Sequence, residues 1–150
     1  MTRIRTNTDL GLAVLRVITG TIFVVHGAQK LFVYGLAGVA GGFANMGIPF
    51  PTVVGPMVGL VEFLGGLALI TGLLTRLAGA GLAIDMLGAF LLVHLPAGFF
   101  MPNGYEFVML LAASAMTLTF TGAGRYSIDA LIGRRREPVA VPQRELRRAA

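Results

Sequence analysis

The sequence has 150 residues, of which 55% are hydrophobic and only 13% are charged, against about 25% charged in soluble domains, and this excludes an ordinary soluble domain. The net charge of +5 does not indicate a nucleic-acid-binding face, because six of the twelve basic residues fall in the last seventeen positions. The absence of cysteine excludes thiol–disulfide exchange, thiolate-bound metal and iron–sulfur clusters as chemistry of this chain.

Four apolar segments approach or reach the roughly 20 residues that a helix needs to cross about 30 Å of hydrocarbon. We therefore predict an all-α fold, an integral membrane bundle of four transmembrane helices. The predicted spans are residues 10–32, 53–75, 77–95 and 105–121. Together they form one domain over residues 10–131, between an N-terminus of residues 1–9 and a basic tail of residues 132–150.

The first span follows Arg3 and Arg5, as the apolar part of a secretory signal would. Arg16 interrupts its apolar run, however, and no small-x-small cleavage site precedes a soluble body. We therefore expect an uncleaved helix. The glycine-rich segment 34–46 is too short to span, which predicts an interfacial or re-entrant piece between the first and second spans.

Glycine and proline mark the connections between the later spans, at residues 47–51 and again at residues 96–104. Only Arg76 separates the second span from the third, which predicts a tight helical hairpin. The glycines at positions 55, 59, 65 and 66 of the second span predict close approach of another helix rather than a cofactor site.

Basic residues lie on one side of the predicted topology, and short cytoplasmic loops are the ones that hold excess Lys and Arg. The two opposite connections, residues 33–52 and 96–104, contain no Lys or Arg. Both termini are therefore predicted to be cytoplasmic, with the basic tail held on anionic lipid. The arginines that share this side are Arg3, Arg5, Arg76, Arg125, Arg134, Arg135 and Arg136.

Ionisable residues within or at the ends of the spans are the candidates for chemistry. A charge near the bilayer centre costs at least about 2.5–3.5 kcal/mol on insertion scales, so each requires a partner or a function. At about 1.5 Å of rise per residue, Glu62 and Asp85 fall near the midplane, and the Arg16 stem reaches toward both. We predict a buried cluster of these three. The full set is Arg16, His26, Lys30, Glu62, Asp85, His94 and Glu106.

A second expected feature is a polar column that runs from the midplane to the outer surface. His26 and Lys30 are four residues apart and share a helix face, while His94 closes the third span and Glu106 opens the fourth. The column could consist of ion pairs that fix packing, or of a ligand and proton site. Two histidines could also hold a haem, which is a weaker interpretation, and no metal site is predicted.

Several short motifs, in this order and spacing, resemble the DoxX family over about residues 10–131. They are HGAQKLF at 26–32, GIPFP at 47–51, Glu62 with the glycines at 65–66, LLTRL at 73–77, VHLP at 93–96 with GF at 98–99, GYE at 104–106, and GRYS at 124–127 with Asp129. The resemblance implies a four-helix inner-membrane protein, described as a membrane oxidoreductase or a small subunit of quinone-linked oxidoreductases. Of the candidate residues, Asp85 matches no family motif.

We therefore expect a membrane subunit of a quinone- or quinol-linked oxidoreductase system in a bacterial-type inner membrane. The hypothesis assigns proton transfer or catalysis to Glu62, His26 and Asp85, and ligand binding to a second set. That set is Arg16, Lys30, His94 and Glu106. The alternatives are a non-catalytic anchor or assembly subunit for a soluble redox partner, and a small-molecule transporter. Expected partners are membrane lipid, redox proteins and a second copy of the chain, but not nucleic acid.

Overall fold

A computed structural model describes residues 3–135 of the protein. Within that range the structure is helical without strands, which confirms the all-α prediction. Two helices extend into π-helical turns, at Gln29–Tyr34 and Phe90–His94, and the 3-10 turn Leu95–Ala97 follows the second. The α-helices are α1 (Arg3–Ala28), α2 (Gly35–Asn45), α3 (Pro51–Thr71), α4 (Thr75–Ala89), α5 (Glu106–Thr121) and α6 (Ile128–Arg135).

Four of these helices, α1, α3, α4 and α5, form the predicted bundle. Helix α1 packs mainly on α3, and α4 packs mainly on α5, so the bundle consists of two helix pairs. We call the end where α1 begins and α5 finishes the terminal end, and the opposite end the loop end. In the described part of the chain, three helical stretches are long and apolar enough to cross a membrane, namely Thr8–Asn45, Pro51–Thr71 and Thr75–Ala97.

Helix α5 is shorter, with 16 residues that span about 24 Å. The outer surface of the bundle is apolar, which suits a bilayer rather than water. Large side chains on all four bundle helices are more than half exposed, among them Val25, Leu64, Ile84 and Leu110. The fold is therefore that of a membrane protein, as the composition predicted.

The centre of the bundle is formed by one fully buried apolar side chain from each of the four helices. Phe23, Leu69, Leu82 and Leu118 are at most 1% exposed and belong to one contiguous cluster. Because lipid is as apolar as these side chains, close packing rather than exclusion of water must hold them together.

Glycines allow α1 and α3 to approach closely, as predicted for the second span. A Cβ atom on Gly66 would lie 2.7 Å from the carbonyl oxygen of Gly20, and one on Gly20 would lie 2.7 Å from the carbonyl oxygen of Gly66. Nearer the start of α3, a Cβ atom on Gly55 would contact the Val39 side chain of α2 at 2.9 Å. The predicted packing role of these glycines is confirmed.

Replacing Gly66 by valine is expected to destabilise the protein by about 1–3 kcal/mol, because the backbones of α1 and α3 would have to separate. Thermal unfolding of the purified protein in mild detergent measures this change. Gly11→Val is the matched control, since no atom lies within 4 Å of a Cβ atom at that position of α1. Equal melting temperatures for the two variants would contradict the close-packing interpretation.

The junction of the second and third spans differs from the prediction. Helix α3 ends at Thr71, four residues earlier than expected, and Arg76 lies in the first turn of α4 rather than between the helices. The reason is Gly72, whose φ of 69° is left-handed and ends the helix. The guanidinium of Arg16 and the side chain of Ser127 lie against Gly72, so no side chain fits there.

The predicted short segment between the first and second spans is helix α2. It begins at Gly35, whose φ is 68°, and it packs on α3 through Val39 and Ala40. A helix satisfies most of its own backbone hydrogen bonds, which is the condition for such a segment at membrane depth. Its depth in the bilayer stays a prediction. Residues 136–150, most of the predicted basic tail, lie outside the described residues.

Candidate functional site

A cavity of about 670 Å³ lies between the two helix pairs, in the half of the bundle nearer the loop end. Its walls come from α1, α3, α4 and α5, with additions from the end of α2 and from the connection before α5. Most of the lining side chains are apolar. The ionisable residues that line it are His26, Lys30, Glu62, Asp85 and His94, five of the seven predicted candidates.

An ion pair joins Lys30 and Glu62 in the wall of the cavity, with 2.6 Å between Nζ and Oε2. Glu62 is 4% exposed, so its carboxylate depends on this partner for compensation. Gly59, one turn before Glu62 on α3, makes the approach possible, because a Cβ atom there would lie 3.3 Å from the Lys30 Cβ. Lys30 itself lies in the π-helical turn that extends α1, a geometry frequent at functional sites.

Asp85 is the second carboxyl group of the cavity and carries a buried oxygen without a partner. Among the described residues, no group donates a hydrogen bond to its Oδ2. Since Lys30 and Glu62 neutralise each other, Asp85 has no counter-charge of its own. A buried polar atom without a hydrogen bond is costly, so this oxygen is suited to bind a proton or to accept a hydrogen bond from a ligand.

His94 lies in the π-helical turn at the end of α4, and one of its ring nitrogens is already used. Nδ1 lies 2.8 Å from the carbonyl oxygen of Asn103. A carbonyl only accepts, so Nδ1 carries the hydrogen and Nε2 of a neutral ring is left as an acceptor. The connection before α5 therefore fixes the orientation of a cavity-lining imidazole.

Glu106, the first residue of α5, does not line the cavity, although ligand binding was predicted for it. Its Oε1 accepts a hydrogen bond of 2.8 Å from the backbone N–H of Met101. Tyr105 packs edge-on against Phe90 and Phe99, with ring centroids 5.1 and 5.4 Å apart. These contacts hold the connection in place above the cavity, and Glu106 bonds to its backbone rather than to an ion-pair partner.

Arg16 lies at the terminal end, and the predicted cluster of Arg16 with Glu62 and Asp85 is wrong. The guanidinium donates hydrogen bonds to the carbonyl oxygens of Ala123, at 3.1 Å, and Tyr126, at 2.6 Å. Side chains on a helix lean toward its N-terminus, so the long stem on α1 reaches away from the midplane rather than toward it. Lys30 takes the position at Glu62 that the prediction gave to Arg16.

The terminal end is closed by further hydrogen bonds around the segment between α5 and α6. The Asp129 carboxylate accepts from the backbone N–H groups of Leu74, at 2.8 Å, and Thr75, at 3.0 Å, and so caps α4. The Asp9 carboxylate accepts from the backbone N–H of Arg125 at 3.0 Å. One end of the bundle is thus tied together, while the other contains the cavity.

The comparisons with known proteins agree with this architecture. The model of the DoxX family matches residues 11–95, more than half of the chain. The chain belongs to the DoxX family. Among solved structures, none matches it significantly.

Relatives of this DoxX protein occur in several bacteria. It is 35% identical to a Bacillus subtilis protein named "Putative oxidoreductase CatD", over 83% of this chain and 88% of the relative. It is 34% identical to the "Uncharacterized membrane protein Rv3486" of Mycobacterium tuberculosis, over 81% of this chain and 80% of the relative. It is also 34% identical to the "Inner membrane protein YqjF" of Escherichia coli, over 85% of this chain and 95% of the relative.

The DoxX motif residues identified in the sequence separate into two groups in space. His26, Lys30, Glu62 and His94 line the cavity, whereas Asp129 belongs to the terminal end. The order of the motifs along the chain does not reveal this division, because the first helix contributes residues both to the cavity and to the terminal end. One group lines the cavity, and the other takes part in the hydrogen bonds of the terminal end.

Sequence reasoning missed the apolar walls of the site in this DoxX protein. Phe43 comes from α2 and Met46 directly follows it, Met57 comes from α3, and Met101 from the connection before α5. Nothing in the sequence distinguishes them from core or lipid-facing residues. Methionine side chains adapt readily to different apolar shapes, so these walls are suited to a hydrophobic ligand.

Proposed function

We propose that this DoxX protein is the membrane subunit of an oxidoreductase system and binds a quinone or quinol in the cavity between its two helix pairs. The observation that supports the proposal is the convergence of five ionisable side chains on one largely apolar cavity. Apolar walls would hold the ring and its substituents, and the few polar groups would orient the oxygens.

The size of the cavity agrees with such a ligand. Sites for small molecules and cofactors usually enclose about 300–1,000 Å³, and this cavity measures about 670 Å³. Several lining side chains, among them Met57 and Ile84, are also more than half exposed. A hydrophobic ligand would therefore reach the site from the lipid.

The cavity residues would hold and move protons, since reduction of a quinone to a quinol takes up two electrons and two protons. Lys30 would donate a hydrogen bond to a ring oxygen of the quinone, and Asp85 would exchange a proton with that oxygen. Glu62 would hold Lys30 through the ion pair. The electrons would pass between the quinone and a redox centre of a partner protein. The printed name of the Bacillus subtilis relative supports an oxidoreductase system.

The proposed orientation follows the distribution of basic residues. Arg76 and Arg125 lie at the terminal end, and the positive-inside rule would place that end in the cytoplasm. The cavity would then lie toward the outer face of the inner membrane. Fusion of a fluorescent protein that matures only in the cytoplasm to each terminus of the chain in turn tests this orientation.

Binding of decylubiquinone to the purified full-length protein in mild detergent tests the function. We expect saturable binding, and Glu62→Gln and Asp85→Asn should each weaken it about tenfold, because each removes a charged cavity group of nearly unchanged volume. Asp9→Asn is the matched control, since the same change at the terminal end leaves the cavity intact. Isothermal titration calorimetry measures all four proteins.

The results separate the proposal from the alternatives. Binding by the original protein that neither cavity variant weakens would remove Glu62 and Asp85 from the site. No saturable binding by any of the four proteins would refute the quinone site altogether and favour a non-catalytic anchor. Equal weakening by Asp9→Asn would show a general loss of structure rather than a local one.

A further inference from the structure

Helices α3 and α4 form a hairpin that is closed at the terminal end and opens toward the loop end. Near the closed end, a Cβ atom on Gly65 of α3 would lie 3.1 Å from the Leu82 side chain of α4. A Cβ atom on Gly81 would lie 4.0 Å from the Val61 side chain, and one on Gly88 would meet no atom within 4 Å. Gly81 and Gly88 are seven residues apart and therefore point in nearly the same direction. The two helices thus separate along their length, and we call the space between them the α3–α4 gap.

The α3–α4 gap is continuous with the cavity. Gly81 and Gly88 line the cavity from α4, and Met57 lines it from α3. Ile84 and Leu92, which lie on the same side of α4 as the two glycines, line it as well. Met57, Ile84 and Leu92 are all more than half exposed, which a side chain enclosed on every side would not be. The cavity is therefore open sideways, between α3 and α4.

The core side of the same cavity is closed. Phe23, Met86 and Val108 line it from α1, α4 and α5, and all three are buried. On the side of α4 that faces α5, a Cβ atom on Gly79 would meet Thr119 Oγ1 at 2.7 Å, so these two helices are in close contact. The contrast between the two sides of α4 shows that the gap is a local feature and not a general looseness of the bundle.

The depth of the α3–α4 gap determines what it faces. Asp85 lies ten residues after Thr75, the first residue of α4, which is about 15 Å along the helix. Since the hydrocarbon of a bilayer is roughly 30 Å thick, the gap begins near the midplane and faces lipid chains rather than water. A molecule that occupies the gap must therefore be apolar there.

Glycine at position 88 leaves open space that no described neighbour fills. Its backbone is α-helical, a conformation that every residue except proline adopts readily. Glycine destabilises the interior of a helix relative to alanine, and in membrane helices it commonly allows a neighbouring helix to come close. In this structure no neighbour comes close to Gly88. The space belongs to the cavity and is available to a ligand.

We infer that the α3–α4 gap holds the linear apolar tail of a membrane-dissolved ligand whose polar head lies at Asp85, and that Gly88 provides the room for this tail. The inference rests on the proposed function and adds the route of entry and the residues that select a tailed ligand. Asp85 and Gly88 are three residues apart, less than one helical turn, so head and tail sites adjoin on one wall.

A helix of a second copy of the chain is the alternative occupant, because glycines also permit close approach of helices. Continuity with the cavity favours the ligand tail. A helix seated in the gap would cover Met57 and Ile84 and close the lateral opening, which would leave a membrane-dissolved ligand without this route to Asp85.

Calorimetric titration of the purified full-length protein in mild detergent tests the inference with two ligands of identical ring. One is decylubiquinone, and the other is the ubiquinone head group without a tail. Gly88→Leu should weaken binding of decylubiquinone about tenfold and binding of the tailless ring less than twofold, because the leucine side chain would occupy the place of the tail. The open space around position 88 allows this variant to fold.

Gly41→Leu is the matched control. Gly41 lies in α2, a Cβ atom there would meet no atom within 4 Å, and the residue does not line the cavity. This variant should bind both ligands as the original protein does. Met57→Trp narrows the α3–α4 gap from its opposite wall and should show the same selectivity as Gly88→Leu, and it replaces that variant if a lowered melting temperature shows a folding defect.

Four outcomes would overturn the inference. Unchanged decylubiquinone binding in folded Gly88→Leu and Met57→Trp proteins would show that the tail lies elsewhere, while the quinone site would stand. Equal weakening of both ligands would place the effect at the head rather than the tail. A change from dimer to monomer in Gly88→Leu, measured by light scattering, with unchanged selectivity would assign the gap to a second copy. Failure of both ligands to bind the original protein would refute the proposed function itself.

Discussion

Replacement of Lys30 by methionine is expected to lower the free energy of unfolding by about 3–5 kcal/mol, the cost of leaving one member of a buried ion pair without its partner. Glu62 is 4% exposed and contacts the Lys30 ammonium at 2.6 Å, so its buried carboxylate would lose its ionic partner. The length of methionine preserves most of the apolar stem. Loss of charge compensation, rather than loss of packing, accounts for the effect.

The double variant with Lys30→Met and Glu62→Met separates these causes. An apolar pair removes both charges, so the double variant should recover most of the stability that the single variant loses. Unfolding of the purified proteins in mild detergent, titrated with a denaturing detergent, measures each free energy. Destabilisation by the double variant equal to the sum of the two single changes would contradict a coupled pair.

Replacement of Arg16 by methionine is expected to cost about 3 kcal/mol of stability, because two hydrogen bonds from a charged donor to backbone carbonyls disappear together. Arg16 is 3% exposed and ties α1 to the segment after α5 through Ala123 and Tyr126. Arg125→Met is the matched control. Its side chain is 63% exposed and its Nε lies 4.0 Å from Asp9 Oδ2, so we expect a loss below about 1 kcal/mol.

The same pair of variants tests where Arg16 acts. Because Arg16 does not line the cavity, the variant should bind decylubiquinone with unchanged affinity at temperatures where it remains folded. The measurement is the unfolding titration together with calorimetric binding. A tenfold loss of affinity in a folded Arg16→Met protein would restore the original prediction that Arg16 belongs to the ligand site.

The two ends of the bundle have different roles according to these contacts. Hydrogen bonds through Arg16, Asp9 and Asp129 close the terminal end, while the helix pairs separate toward the loop end and leave the cavity between them. Stability and binding are therefore expected to respond to different residues. A membrane protein gains little from burying apolar groups, so polar ties of this kind carry much of its specificity.

The sequence by itself determined the membrane fold, the four spans and most of the candidate site. Apolar length dictates where a helix can cross a bilayer, and the high cost of a buried charge singles out the few ionisable residues that require an explanation. Helical spacing placed His26 and Lys30 on one face, and both line the cavity. These inferences depend on local geometry along one helix, which the sequence contains.

Only the tertiary structure decided which charges meet. Glu62 pairs with Lys30 rather than Arg16, because the direction of a side chain and the room left by Gly59 are properties of two packed helices together. The roles of Glu106 and Asp129, each bonded to backbone N–H groups of another segment, were likewise hidden. Depth along a helix follows from counting residues, whereas the choice of partner follows from packing across helices, which no single stretch of sequence specifies.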